Sequence, residues 1–165
     1  MSGAPAASVP VTLLTGFLGS GKTTWLNRWL RHPSMRDALV LVNEIGDVAV
    51  DHHLVQERGE DLVVLLSGCV CCALRGDLIE MLSDPTRTRG RGRVVVETTG
   101  LADPTPLIAT LVTHPALGAA FHLDAVVTTL DAELGPTTLS RHQEAVKQVA
   151  MADLVVLTKC DRAGE

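Results

Sequence analysis

The chain has 165 residues, 46% of them hydrophobic and 20% charged, long enough for one domain that buries roughly 70% of its unfolded surface. Its size excludes a disulfide-stapled miniprotein, and its formal charge of −5 lacks the basic surplus that nucleic-acid binding requires. No apolar run approaches the roughly 20 residues of a membrane helix.

Met1–Val9 (MSGAPAASV) carries neither a basic nor an apolar leader, so residues 1–9 read as a flexible N-terminus before one domain over 10–165, and the expected location is the cytoplasm. Short apolar runs follow at Val9–Thr15, Ala38–Asn43, Leu62–Leu66, Val94–Glu97, Ala125–Leu130 and Leu154–Thr158. They are continuous rather than alternating, the pattern of strands covered on both faces. Helical patterns lie between most of them, at Thr23–Arg31, Leu74–Leu82, Pro106–Val112 and Thr138–Ala150, while Asp84–Arg93 (DPTRTRGRGR) reads as a solvated connection. The alternation predicts an α/β fold, a mostly parallel sheet with helices on both faces. Ligands bind such sheets at the carboxyl ends of the strands, and every unusual motif in this sequence follows a strand.

Gly16–Thr23 (GFLGSGKT), between a strand and a helix, fits the phosphate-binding loop of P-loop NTPases. Gly16, Gly19, Ser20 and Gly21 let backbone N–H groups close around phosphate oxygens, Lys22 reaches the β and γ phosphates, and Thr23 offers a hydroxyl to Mg²⁺. Only three lysines occur among the 14 Lys and Arg residues, and the second of note lies in Thr158–Asp161 (TKCD). There Asp161 can accept from the N1–H and 2-amino groups of guanine while the Lys159 stem packs over the base, a donor pair that adenine lacks. Glu97–Gly100 (ETTG) ends a buried strand in a carboxylate able to orient Mg²⁺ or its water, and Gly100 lets a backbone N–H approach the γ-phosphate. Neither Gln nor Arg is clearly placed for the transition state, which predicts slow intrinsic hydrolysis.

Three of the four cysteines, Cys69, Cys71 and Cys72, fall within Gly68–Cys72 (GCVCC). Close thiols in a reducing compartment point to a soft metal such as Zn²⁺, Co²⁺ or Cu(I), ahead of buried apolar cysteines or a redox switch. In an extended segment Cys72 points away from the other two, so a single ion needs a bend, which Gly68 allows. Glu44 is the first candidate for a fourth ligand and His114 the second. His52 and His53 read as exposed loop residues, and Asp131 as either a structural cap or part of the nucleotide edge.

The ordered blocks GFLGSGKTT, NEIGDVAVDHHLV, LLSGCVCCALRGDL, VVVETTGLADPTPL, VVTTLDA and QVAMADLVVLTKCD, from about Pro10 to Asp161, resemble the CobW family of GTPases, which is grouped with the nickel-insertion GTPases of hydrogenase and urease maturation. The resemblance implies a metallochaperone that loads zinc, or in some members cobalt, and hands it to a client metalloprotein during GTP hydrolysis. Gly19, Gly21, Lys22, Thr23 and Thr24 would hold the phosphates and Mg²⁺, Glu97 and Gly100 would sense the γ-phosphate, and Thr158, Lys159 and Asp161 would read guanine. Cys69, Cys71 and Cys72, with Glu44, would hold the transported metal, and the loop Asn43–Asp51 would be the switch. Lys22, Thr23 and Glu97 would be the catalytic set; self-association is compatible with the pattern, and neither nucleic acid nor membrane is expected. Thr158 stands where the family often has Asn. The family continues past Asp161 with a second base-contacting loop and a C-terminal domain, so the expectation is an incomplete sheet edge. A metal and nucleotide binding module without turnover, and an ATP-dependent P-loop kinase, are the alternative functions.

Overall fold

The computed structural model describes residues 8–43, 62–65 and 72–163. Six strands, β1 (Val9–Gly16), β2 (Ala38–Asn43), β3 (Leu62–Leu65), β4 (Arg93–Glu97), β5 (Phe121–Asp131) and β6 (Leu154–Thr158), form one sheet in the order β3-β2-β4-β1-β5-β6. Every described pairing is parallel. β1 therefore sits inside the sheet, with Leu14 in register with Glu97 of β4 and with Val127 of β5. Its neighbours are strands far away in sequence, which is the strand order of an open sheet with crossovers on both faces.

The continuous apolar runs are explained by alternation between two cores. Val11 and Leu13 of β1, Leu39 and Leu41 of β2, and Val94 and Val96 of β4 face one side, where helices α2 (Cys72–Ser83), α4 (Thr105–Thr113) and α5 (Pro115–Gly118) supply Leu78, Leu107, Leu111 and Leu117. Leu14, Val40, Val42 and Val95 face the other, beneath Leu26 and Leu30 of α1 (Lys22–Leu30). Each fully buried aliphatic side chain contributes about 1.5–3 kcal/mol, so covering both faces makes the middle strands the rigid platform on which the loops stand. Strand β6 ends the sheet, and Leu154 and Leu157 there are 54% and 58% exposed.

Several elements differ from the sequence-based expectation, among them α5, where no helix was expected. The stretch expected to be one helix over Thr138–Ala150 is two, α6 (Gly135–Arg141) and α7 (Gln143–Ala150), because His142 between them is extended at φ −128° and ψ 111°. The expected connection Asp84–Arg93 contains a one-turn helix, α3 (Pro85–Thr88), which Asp84 caps by accepting from the Thr86 backbone N–H at 2.8 Å, with Pro85 at the first helical position. Strand β5 starts at Phe121, earlier than its apolar run, because its first residues pair with β1. Among the described residues, no helix is long and apolar enough to cross a membrane.

Leu13 is fully buried and Leu157 is not. In urea unfolding, Leu13→Ala is expected to cost about 2–5 kcal/mol, and Leu157→Ser to stay within about 0.5 kcal/mol. Equal costs would contradict the burial assignment.

Candidate functional site

The site begins where β1 runs out. Gly16 has φ +142°, and a Cβ there would collide with Thr129 of β5 and with Ser20, whose hydroxyls pair at 2.6 Å in a buried contact. Gly21, at φ 89°, opens α1 without a side-chain cap. Its first-turn N–H groups therefore remain available for an anion, beside the positive end of the helix.

Lys22 folds back over this loop, its Nζ donating to the carbonyls of Gly16 at 2.8 Å and Phe17 at 3.2 Å. Burial pushes its pKa below the usual lysine value, and the charge of Glu97 opposes that shift. Glu97 ends β4 and is 3% exposed. Its Oε1 accepts from Thr23 Oγ1 at 2.9 Å, so a carboxylate and a hydroxyl stand together at the N-terminus of α1. The chain after Glu97 stays against β1: the Thr98 N–H donates to Leu14 O at 2.9 Å, and the Thr98 hydroxyl donates to Thr15 Oγ1 at 3.0 Å. Gly100 then presses on the phosphate loop, where a Cβ would stand 2.6 Å from the Leu18 backbone nitrogen.

The TKCD motif reaches the same loop from the far side. Thr158 Oγ1 donates to Ser20 O at 2.6 Å and to Leu130 O at 3.3 Å. Lys159, at φ 53°, sends its Nζ to Gly19 O and to Asp131 Oδ2, both at 2.7 Å. Asp161 is exposed beyond it, and Thr24 is exposed on α1.

These geometries join four loops at one sheet edge, and the comparisons with known proteins agree with them. The nucleotide-binding domain model of CobW/HypB/UreG matches residues 10–165. The chain belongs to this family. It is 39% identical over 162 residues to the zinc chaperone YjiA of Escherichia coli, and 37% identical over 161 residues to the zinc-regulated GTPase metalloprotein activator 1 of Schizosaccharomyces pombe. Those alignments take in 95% and 93% of this chain but 51% and 39% of the relatives, so the chain spans about half or less of their length. The crystal structure of a Zn(II)-bound triple mutant of the YjiA GTPase superposes with a TM-score of 0.70 at 32% identity, over 96% of this chain and 51% of that one.

Three residues at this sheet edge make contacts that the sequence motifs do not announce. Asp131 makes two sets of contacts at the end of β5. Its Oδ1 accepts from the Glu133 and Leu134 N–H groups of the turn before α6 at 2.9 and 3.0 Å, and its Oδ2 pairs with Lys159. The hydrogen bond from Lys159, then the one from the Leu134 N–H, holds its carboxyl below the usual aspartate value. The signal for the turn was available: an acid at the end of a strand two and three residues before the N–H groups from which it accepts. Phe17 stacks on His142 with centroids 4.4 Å apart, and Thr129 pairs with Ser20. Nothing in the local sequence predicts those two contacts, since the partners lie more than 100 residues apart.

Of the metal candidates, Glu44, Cys69, Cys71, His52 and His53 lie outside the described residues, as does most of the loop Asn43–Asp51. Cys72 opens α2, and its side chain is likewise outside the description. His114 sits between α4 and α5, and among the described residues it joins no group of three His, Cys, Asp or Glu able to hold a metal.

Because the carboxyl of Asp131 titrates below its unfolded value of about 3.9, its pairing stabilises the fold above that pH and the contribution is lost as pH falls through the folded pKa. Asp131→Asn keeps an oxygen that can accept from the Glu133 and Leu134 N–H groups but removes the charge. Urea unfolding is expected to show a stability gap between wild type and variant at pH 7 that narrows as the pH is lowered below about 4. A gap independent of pH would mean that the ion pair contributes nothing.

Proposed function

We propose that this chain binds GTP with Mg²⁺, hydrolyses it to GDP and phosphate, and uses the cycle to load and release a soft divalent metal, Zn²⁺ ahead of Co²⁺, for a client metalloprotein. The observation that carries the nucleotide half is the convergence of Lys22, the Thr23–Glu97 pair and Lys159 on the one loop between β1 and α1. The printed names of the relatives, a zinc chaperone and a zinc-regulated GTPase metalloprotein activator, support the metal half.

The backbone of Gly16–Thr23, with Gly19, Ser20 and Gly21, cradles the phosphates. Lys22 exchanges the carbonyls of Gly16 and Phe17 for β and γ phosphate oxygens, and the incoming negative charge offsets the burial that now lowers its pKa. Thr23 and Glu97 present hard oxygen donors within one hydrogen bond of each other, a set that fits Mg²⁺. When bound there, Mg²⁺ neutralises charge building on the phosphate oxygens. Gly100 offers its N–H toward the γ-phosphate across the contact with Leu18. Asp161 accepts from guanine while Lys159, held by Gly19 and Asp131, packs its stem over the base, and Thr158 braces Ser20 from behind. Phosphoryl transfer asks for positioning and charge stabilisation more than covalent chemistry, and these residues supply both. The water attacks Pγ, and the bond from Pγ to the β-bridging oxygen breaks with its electron pair leaving on GDP.

Cys69, Cys71 and Cys72, with Glu44, are proposed to hold the cargo ion as thiolates in a reducing compartment such as the cytoplasm. The reduced protein is titrated with Zn²⁺ against a competing chelator, with Mg²⁺ and either no nucleotide, GDP or a non-hydrolysable GTP analogue. Binding linkage is reciprocal, and a nucleotide-switched carrier is expected to show about a tenfold difference in zinc affinity between the GTP-like and GDP states, near 1.4 kcal/mol. Cys71→Ala is expected to weaken zinc and leave nucleotide affinity intact. Identical zinc curves in the three states, or no phosphate release on adding GTP, would leave a metal and nucleotide binding module in place of the carrier.

A further inference from the structure

We propose that Gln148 of α7, aided by Lys147, is a positioning residue for the γ-phosphate loop 98–103, holding Gly100 against the phosphate loop. This rests on the GTP reading above and adds to it a residue outside GFLGSGKT, ETTG and TKCD. Gln148 is completely buried. Its Nε2 donates to Gly100 O at 3.1 Å and to Ala102 O at 3.0 Å. Two carbonyls can only accept, so the amide nitrogen must face them, and neither a carboxylate nor an aliphatic side chain at 148 could take its place.

The clamp has a fixed base. The Gln148 carbonyl accepts from Thr128 Oγ1 at 2.8 Å in a buried contact, which ties the last turn of α7 to β5 beside β1. One residue earlier, Lys147 Nζ pairs with Asp103 Oδ2 at 3.0 Å, and Asp103 also accepts from the Thr105 N–H that begins α4. From its other side Gly100 meets Leu18 so closely that a Cβ would not fit. The segment is thus held between the phosphate loop and α7, and its position at Gly100 is set by the Gln148 amide.

The clamp is incomplete in a telling way. Gln148 Oε1 and Thr99 Oγ1 are both buried and find no partner among the described residues. Buried polar atoms are ordinarily satisfied, so the loop has hydrogen bonds still to make in this position. A segment that responds to a ligand has that property. GDP, lacking the γ-phosphate, needs little from Gly100; GTP needs its N–H held in place.

The test compares wild type, Gln148→Leu and Lys147→Met. Affinities for GDP and for a non-hydrolysable GTP analogue are read from the fluorescence of Trp25 and Trp29, the chain's two tryptophans, both on α1 just beyond the phosphate loop. Gln148→Leu is expected to weaken the GTP analogue about tenfold and lower the turnover number similarly, with GDP affinity within about threefold. Lys147→Met, a change at an exposed pair that leaves the core untouched, is expected to shift the same ratio in the same direction by about two- to threefold. Equal weakening of both nucleotides by Gln148→Leu, or no change in either, would overturn the proposal. If Gln148→Leu does not fold, an unchanged ratio in Lys147→Met overturns it. Failure of the wild type to bind guanine nucleotides at all would instead sink the GTP reading, and this proposal with it.

Discussion

A carboxylate buried at the end of a hydrophobic strand is expensive unless it is matched, and in this molecule the match is what assembles the site. Arg93–Glu97 runs three valines through the middle of the sheet and ends in Glu97, 3% exposed. Thr23 Oγ1 donates to it, and the ammonium of Lys22 lies close enough for the two charges to influence each other. Both partners stand on the first turn of α1, so satisfying Glu97 fixes the helix N-terminus over the end of β1. The stability requirement and the ligand requirement coincide: the groups that make the buried acid tolerable are those a nucleotide phosphate and its cation would use.

From that point the other loops are drawn in by hydrogen bonds to the phosphate loop's backbone. Thr158 takes the Ser20 carbonyl, Lys159 takes that of Gly19, and Thr129 takes the Ser20 hydroxyl. The end of β6 and the phosphate loop are therefore one mechanical unit, although 138 residues separate Ser20 from Thr158. On the opposite flank the chain after β4 leans on the same loop at Leu18 and is backed by Gln148. A shift at the phosphates has a short path to α7 in one direction and to α4 in the other. The segment 98–103 runs directly into α4, and Arg75 of α2 donates to Thr110 of α4 at 3.0 Å. This places the helix that opens at Cys72 one hydrogen bond from the helix that follows that segment.

The strands were legible because each contains a short run rich in branched aliphatics, which in β1, β2 and β4 is buried between two cores, and the phosphate loop because three glycines and a lysine have few other uses in that pattern. Helix boundaries were less so: the break at His142 depends on a ring stacked on Phe17, a tertiary contact with no local signature. Gln148 escaped notice for a related reason. Along QEAVKQVA, Ala145 and Gln148 are buried while Val146 is 47% exposed. A glutamine in the inward stripe of a helix, with a valine outward, is a departure from amphipathic order that signals a buried polar partner. Asp131 could be read as a cap or as a lining residue; it braces the turn before α6, and its pairing with Lys159 is set by the fold rather than by local sequence.

The central claim is that one sheet edge forms a site for a guanine nucleotide, with Asp161 and Lys159 reading the base and the loop after β1 holding the phosphates. The most direct measurement is equilibrium competition of GTP, GDP and ATP for a fluorescent guanine nucleotide in the presence of Mg²⁺. The account predicts that GTP and GDP displace the probe at concentrations about a hundredfold or more below ATP, since adenine offers Asp161 no donor pair and leaves a polar site unmatched. Displacement by ATP at the same concentration as GTP would contradict it.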